Sequence, residues 1–161
     1  MIIVSDTTAI SNLLKIKRVE LLHIMYGEVV VPPAVDLELK ALKSKRPDVD
    51  LTQTKGWVKI ITPTIILQPV NIEPKLDKGE IEAISLAKEL HADWLLIDEK
   101  AGRIFAKQNG IKTIGLLGVL MEAKKKGHIP LVMPVIDDLV RVGGFWLNDS
   151  LYKEIKLLAN E

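Results

Sequence analysis

The chain contains no cysteine, and only 4% of its residues are aromatic. The absence of cysteine excludes a disulfide framework, a thiol nucleophile and a thiolate metal site. The three histidines are too few and too scattered along the chain to predict a zinc site. The scarce aromatic residues are not interleaved with basic ones, so the sequence does not predict a base-stacking surface of the single-strand-binding type.

An excess of one charge is also missing, because 22 Lys and Arg oppose 21 Asp and Glu and leave a net charge of +1. This balance excludes a strongly basic nucleic-acid coat and an acidic disordered tail, but it allows local patches of either sign. No apolar run approaches the roughly 18 residues that span a bilayer, and no basic stretch precedes the first apolar residues. We therefore expect a soluble, cytoplasmic protein without a membrane segment.

The 161 residues, 48% of them hydrophobic, are enough for one domain with a sizeable core, predicted here to cover residues 1–161. Short apolar runs alternate with helical patterns. Strands are predicted at residues 2–4, 29–31, 57–61, 94–97 and 112–114. Helices are predicted at about 9–16, 17–25, 33–45, 77–90, 99–109, 115–126, 133–142 and 149–159. This alternation is typical of an α/β fold with a mostly parallel sheet.

Two aspartates follow predicted strands directly: Asp6 ends the first strand and Asp98 ends the run at 94–97. Ligands of open parallel sheets bind outside the carboxyl ends of the strands, which is where both aspartates are expected. Each also precedes a helix, so a role as helix N-cap is an open alternative. Asp77 and Glu80 have the spacing of a capping box, which gives Glu80 an equally good structural interpretation.

Glu38 borders the apolar stripe of its helix and is expected at the rim of a cleft, whereas Asp36 points about 160° away and is expected in solvent. Carboxylates that converge from separate segments repel one another unless a divalent cation neutralises them. Oxygen ligands alone favour Mg²⁺ or Mn²⁺ over zinc. The matching chemistry is attack of metal-activated water on a phosphodiester. The candidate acids are Asp6, Glu38, Glu80 and Asp98.

Basic residues near these acids are candidates for phosphate contacts. Lys40 and Lys43 lie beyond Glu38 on the same predicted helix and are predicted to bind the substrate. The run 124–126 ends another helix, where cations stabilise the helix end, so a structural role is favoured there. Trp94 begins a buried strand and is predicted to lie in the core.

Four segments of the chain resemble the motifs of PIN-domain proteins, in the family's order. They are Val4–Leu13, Val31–Leu39, Leu76–Ile84 and Leu95–Arg103. Together the matching segments span residues 1 to about 116. The tail with Gly144-Phe145-Trp146 and a last helix is similar to a PIN subgroup related to VapC-type toxins.

The resemblance implies a three-layer α/β/α fold and a Mg²⁺- or Mn²⁺-dependent ribonuclease. Thr8, with Thr7 as the alternative, matches the family's hydroxyl near the first acid, and Arg103 matches an arginine that contacts phosphate or pairs with an acid. Many family members carry a further acid beyond the Asp98 segment, where this chain offers only Asn109. The implied catalytic acids are Asp6, Glu38, Glu80 and Asp98, of which Asp6, Asp98 and Glu80 are implied metal ligands.

The resemblance further implies an RNA substrate, a homodimer and a small antitoxin protein as neutralising partner. One alternative is a non-catalytic PIN-like module that binds RNA or protein and keeps a vestigial acidic site, although all four acids are present. Another is a different α/β enzyme class. A haloacid-dehalogenase-type phosphatase requires Asp-x-Asp after the first strand, where Thr8 occupies the second place, and the paired acids of a response-regulator receiver are also missing.

Overall fold

Five short parallel strands form one sheet in the computed structural model, which describes residues 1–161. The strands lie in the order β3-β2-β1-β4-β5, and every pair is parallel. The predicted α/β class is therefore confirmed, and the sheet is parallel throughout. The strands are β1 (Ile3–Ser5), β2 (Val29–Val31), β3 (Val58–Ile60), β4 (Trp94–Leu96) and β5 (Thr113–Ile114).

Eight α-helices and one 3-10 helix at Leu51–Thr54 surround the sheet. The helix predicted at 17–25 begins later, at Glu20, because Lys17 adopts a left-handed backbone conformation that ends the preceding helix. None of the helices combines the length and the apolar character needed to cross a membrane. The helices are α1 (Thr7–Lys15), α2 (Glu20–Tyr26), α3 (Pro33–Lys45), α4 (Lys78–Glu89), α5 (Lys100–Gln108), α6 (Leu116–Lys125), α7 (Met133–Arg141) and α8 (Asp149–Leu158).

The alternation of side chains along the strands divides the core in two. Ile3 and Leu96 face a cluster of 27 buried residues that also draws on α1, α2, α3, α6, α7 and α8. Val4 and Leu95 point the other way, into a cluster of 10 buried residues with α4 and α5. The sheet is thus covered on both faces, and the expected three-layer α/β/α arrangement is observed.

Trp94 differs from its predicted place in the core, because it is only partly buried. It packs against the larger cluster from the start of β4. The run 94–97 is fully buried only over its last three residues, Leu95 to Ile97. The first residue of an apolar run lies near the end of its strand, where neighbouring elements cover it less.

The strand order places the carboxyl ends of β1 and β4 side by side. From β1 the chain proceeds outward to β2 and β3, and it then returns to β4 and β5 on the other side of β1. Ser5 pairs with Leu96, and the main-chain N–H of Asp6 donates to Leu96 O over 3.0 Å. A parallel sheet binds ligands at the point where its strand order reverses, so the residues after Ser5 and Leu96 occupy the expected binding edge.

Candidate active site

Asp6 follows β1 and caps α1. Its Oδ1 accepts from the main-chain N–H of Thr8 over 3.1 Å, which confirms the predicted N-cap role. The residue is also only 3% exposed. Burial raises the pKa of the Asp6 carboxyl well above its usual value, and the nearby charges of Asp98 and Glu80 raise it further. A helix cap on the surface would satisfy the same N–H, so capping alone does not account for a buried acid beside two others.

Asp98 follows β4 but does not cap the next helix, because Glu99 occupies the N-cap position of α5. Instead, Asp98 Oδ1 accepts from the N–H of Leu116 over 3.0 Å, which ties the end of β4 to the start of α6. Its Oδ2 is buried and has no hydrogen-bond partner. Burial raises the pKa of Asp98, while the Leu116 N–H and the positive charge of Arg103 partly oppose the increase.

Glu80 lies in the first turn of α4, beside Asp77. Asp77 Oδ1 accepts from the N–H of Glu80 over 2.8 Å, so half of the predicted capping box is present. Burial, followed by the charge of Asp77 and a hydrogen bond to the Asp77 side chain, raises the pKa of Glu80 to about 8. At neutral pH and without a cation, the Glu80 carboxyl therefore carries its proton most of the time.

Glu38 projects from α3 toward the same helix start. The Thr7 hydroxyl donates to a Glu38 carboxylate oxygen, so Thr7 contacts an acid, whereas Thr8 contributes its main-chain N–H to Asp6. Burial raises the pKa of Glu38, and the Thr7 hydrogen bond opposes the increase. A side chain at Gly79 would overlap the Glu38 carboxylate, so glycine there allows α4 to approach α3 closely.

These groups line one open cleft of about 230 Å³. Three of the four predicted catalytic acids are in its lining, and Asp98 lies close enough to Asp6 to raise its pKa. The structure thus brings the four predicted acids to one edge of the sheet. The lining consists of Asp6, Thr7, Thr8, Ser11, Glu38, Leu42, Asp77 and Glu80.

The donor set suits a hard cation, because every candidate ligand atom is a carboxylate oxygen. Asp98 Oδ2 is buried without a hydrogen-bond partner, which is expected of a carboxylate oxygen that serves as the ligand of a metal ion. No group of three His, Asp or Glu side chains is arranged to hold one ion. The residues that fit a cation are the neighbours Asp6 and Asp98, with Glu80 as the next acid to Asp6.

Two residues that support the site did not stand out in the sequence. Glu82 Oε2 accepts from the N–H of Ala34 over 2.9 Å, so α4 supplies the start of α3 with a cap that its own N-cap residue, Pro32, does not provide. A Cβ at Gly115 would lie 2.6 Å from Asp98 Oδ1. The third acid of the segment Leu76–Ile84 was the available signal for Glu82. Nothing local distinguished Gly115 from an ordinary helix start.

The basic residues near Glu38 have carboxylate partners. Asp36, expected in solvent, is only 7% exposed, and its Oδ2 lies 2.7 Å from Lys40 Nζ. The expectation of a solvated Asp36 is therefore wrong, because α3 packs against both α1 and α4 and has little free surface at that position. Lys43 Nζ lies 3.0 Å from Asp50. Substrate binding by Lys40 and Lys43 stays a prediction, and it would require both lysines to leave these partners.

The remaining predicted residues fall on both ends of α5. Arg103 is exposed, and its charge lowers the pKa of Asp98, which places it beside the acids. Asn109 is at the opposite end of the helix, where it accepts from Lys88 Nζ over 3.0 Å and donates to Phe105 O. Asn109 is thus engaged away from the cleft.

Comparisons with known proteins agree with this geometry. A protein-family model, DUF3368, described as a PIN domain, matches residues 2–161. Among solved structures, the chain is similar to a PilT N-terminus domain protein from the hyperthermophilic archaeon Sulfolobus solfataricus P2, with 22% identity and a TM-score of 0.57. That likeness covers 76% of this chain and 93% of the archaeal one, and at this identity it concerns the fold alone. The comparison with curated proteins finds no match. Because the family model spans almost the whole chain, the protein belongs to the PIN-domain family.

Proposed function

We propose that this protein is an endoribonuclease that depends on Mg²⁺ or Mn²⁺. Membership of the PIN-domain family indicates a nuclease-type function, which supports the proposal. The observation that carries it is the pair of neighbouring carboxyl groups, Asp6 and Asp98, where the strand order reverses, one of them with an unpartnered buried oxygen. Neighbouring acids with raised pKa values in a cleft are typical of sites built for chemistry.

The proposed roles follow the positions of the side chains. Asp6 and Asp98 would hold the cation, and Glu80, the next acid to Asp6, would join them as it gives up its proton when the ion binds. When bound, a divalent cation stabilises the negative charge that develops on the phosphodiester. Glu38, oriented by the Thr7 hydroxyl, would accept a proton from the attacking water. Arg103, beside Asp98, would contact a phosphate oxygen.

The finer proposal is that RNA cleavage makes the protein the toxin of a toxin–antitoxin pair, acting in the cytoplasm as a homodimer. The tail supports a protein partner, because Trp146 is 81% exposed and Leu157 is 77% exposed. A contiguous apolar patch formed by this tail would be covered by another chain. We expect expression of the protein alone to arrest growth, and co-expression of a neutralising partner to restore it.

The metal requirement gives the direct test. The purified protein should cleave end-labelled RNA with Mn²⁺ or Mg²⁺, should stop in EDTA, and should recover when excess Mn²⁺ is added, because the acids alone provide no charge stabilisation for the phosphate. Product length on a denaturing gel measures the reaction. Equal cleavage in EDTA would contradict the metal requirement. No cleavage and no calorimetric heat of Mn²⁺ binding would favour a non-catalytic binding module.

Gly115→Ala tests whether Asp98 must stay where it is. The new Cβ would lie 2.6 Å from Asp98 Oδ1, so the carboxylate must shift. We expect the cleavage rate and the Mn²⁺ affinity to fall by about ten- to a hundredfold, as for other changes that displace a metal ligand. Gly118→Ala is the matched control on α6, because its Cβ meets an Ile114 side-chain carbon at 2.9 Å and no acid. Equal losses in the two variants would show that the effect is general disturbance of α6.

A further inference from the structure

A groove between α5 and the edge strand β5 is lined by cations and by no acid. Its volume is about 650 Å³. Lys100, Arg103 and Lys107 come from α5, and Lys112 precedes β5 on the other wall. Trp94, at the start of β4, completes the groove with apolar neighbours. This concentration of one charge sign is unusual in a chain whose net charge is only +1.

None of these four cations has a carboxylate oxygen within 4.0 Å, and all four are exposed. Lys40 and Lys43, the cations that the sequence favoured, are both paired with aspartates. A row of like charges without counter-charges produces a positive potential that attracts a polyanion. The groove along α5 is therefore the better phosphate-binding surface of the two.

The cations of the groove form a path that begins beside the acids and runs along α5 away from them. Lys100, Arg103 and Lys107 are spaced i, i+3 and i+7, so they lie on one face of α5 and extend over about 10 Å at 1.5 Å per residue. Arg103 is next to Asp98, while Trp94 and Lys112 are at the amino-terminal ends of their strands, away from the acids. A cationic path of this length can contact more than one backbone phosphate of a bound strand.

We infer that the groove binds the backbone of single-stranded RNA and leads it to the acids at Asp98. The inference rests on the proposed ribonuclease function, and it adds the route by which the substrate reaches the site. Trp94 supports a nucleic acid, because a partly exposed indole in a basic groove offers a base a stacking surface while the phosphates pair with the cations. The Arg103 end of the groove lies beside Asp98. This supports RNA over an acidic protein segment, because the carboxylates beside Arg103 would repel an acidic segment, whereas an RNA phosphodiester is their proposed substrate.

The test measures binding without cleavage. A fluorescein-labelled 12-nucleotide single-stranded RNA is titrated in EDTA with the wild type and with Lys107→Gln/Lys112→Gln, and anisotropy is followed at several KCl concentrations. We expect Kd to rise at least about tenfold at 0.1 M KCl, and the slope of log K against log salt to fall by about 1.4, which is 0.7 for each lost phosphate contact. Neither lysine touches the acidic cleft, and circular dichroism checks that the variant is folded.

Lys125→Gln/Lys126→Gln is the matched control, because it removes the same charge from two exposed lysines at the end of α6 that also lack ion-pair partners. We expect its Kd to stay within twofold of the wild type. Equal Kd and salt slope for the groove variant and the wild type would overturn the inference, as would equal losses in the two double variants. Tighter binding of a labelled glutamate-rich peptide than of RNA, lost in the groove variant, would also overturn it in favour of an acidic protein segment.

The inference and the proposed function fail in different ways. If the wild type cleaves RNA with Mn²⁺ but the groove variant binds RNA as tightly as the wild type does, the proposed function is supported and the inferred RNA path is wrong. If RNA binds through the groove in EDTA but the wild type never cleaves it, the inferred path is supported and the proposed ribonuclease function is wrong.

Discussion

Asp6→Asn is expected to lower Mn²⁺-dependent RNA cleavage by about a thousandfold or more, which corresponds to about 4 kcal/mol of lost transition-state stabilisation. Asp6 lies between the other acids, because the charges of both Asp98 and Glu80 raise the pKa of its carboxyl. An amide in its place carries no charge, so it cannot neutralise a cation between the remaining carboxylates. Initial rates at saturating Mn²⁺, together with calorimetric Mn²⁺ titrations, measure the two expected losses.

The same substitution leaves the fold intact, because asparagine is as good an N-cap as aspartate. Its Oδ1 can still accept from the Thr8 N–H, which lies 3.1 Å from the present oxygen. We therefore expect an unchanged circular dichroism spectrum. A loss of activity with a folded protein separates a chemical role of Asp6 from its role at the start of α1.

Asp50→Asn is the matched control for this experiment. Asp50 is also an N-cap, and it accepts from the Thr52 N–H over 3.0 Å at the start of the 3-10 helix. It does not line the acidic cleft. We expect its maximal cleavage rate to remain within about twofold of the wild type. Full Mn²⁺-dependent activity in Asp6→Asn would contradict the assignment of the site, whatever the result for Asp50→Asn.

Much of the fold could be predicted because β1, β2 and β4 lie in the short apolar runs 2–4, 29–31 and 94–97. Runs such as 29–31 are hydrophobic on both faces, which occurs where helices cover both sides of a parallel sheet. The helix starts were also readable, since Asp6 and Asp77 both cap helices through their side chains. The late start of α2 could not be predicted, because the left-handed backbone conformation of Lys17 has no counterpart in the hydrophobic pattern.

The acids of the site were predictable as types but not as contacts. Asp98 looked like the cap of the helix that follows it, yet its carboxylate reaches Leu116, 18 residues further along the chain. Thr7 and Thr8 are adjacent in sequence, and only the packing of α3 against α1 decides which hydroxyl meets Glu38. Local periodicity gives the direction of a side chain from its own helix, but it contains no information about the neighbouring helix.

The sequence did not show which basic residues are free to bind phosphate and which are paired with acids. Lys40 and Lys43 seemed available for phosphate, but each pairs with an aspartate in the structure. Lys107 and Lys112 belong to different elements, and they come together only because β5 lies at the edge of the sheet beside α5. A patch that is assembled by topology leaves no run of basic residues in the sequence.

Glu80→Gln is expected to stabilise the metal-free protein near neutral pH. In the folded chain the pKa of Glu80 is about 8, above its usual value of 4.5. Folding therefore favours the protonated acid, and this contribution to stability is complete below pH 4.5 and is lost as pH rises from there to about 8. Glutamine has no proton to lose, and its amide can still donate to Asp77, so the variant escapes that loss.

Glu80 is only half-buried, so solvent screens part of its charge, and we expect a gain of about 1 kcal/mol at pH 8, or about 2–4 °C in Tm. At pH 4 the two proteins should unfold at nearly the same temperature. Thermal unfolding in EDTA across this pH range measures the difference. A constant difference between pH 4 and pH 8 would show that the substitution acts through packing and not through the proton.

Glu89→Gln is the control on the same helix, with the opposite sign. Glu89 Oε2 accepts from the N–H of Thr64 over 2.8 Å, and this hydrogen bond lowers the pKa of its carboxyl. Its contribution to stability is present above the usual pKa and is lost as pH falls, so Glu89→Gln should lower Tm at pH 8.

Adding Mn²⁺ distinguishes the two glutamates further. The ion should raise Tm in the wild type and in Glu89→Gln by similar amounts, but less in Glu80→Gln, because a cation stabilises the fold only through the ligands that hold it. If Glu80 lowers the stability of the metal-free protein but raises that of the metal-bound protein, its carboxylate contributes to binding of the ion. The two Tm measurements therefore assign Glu80 to the metal site independently of RNA cleavage.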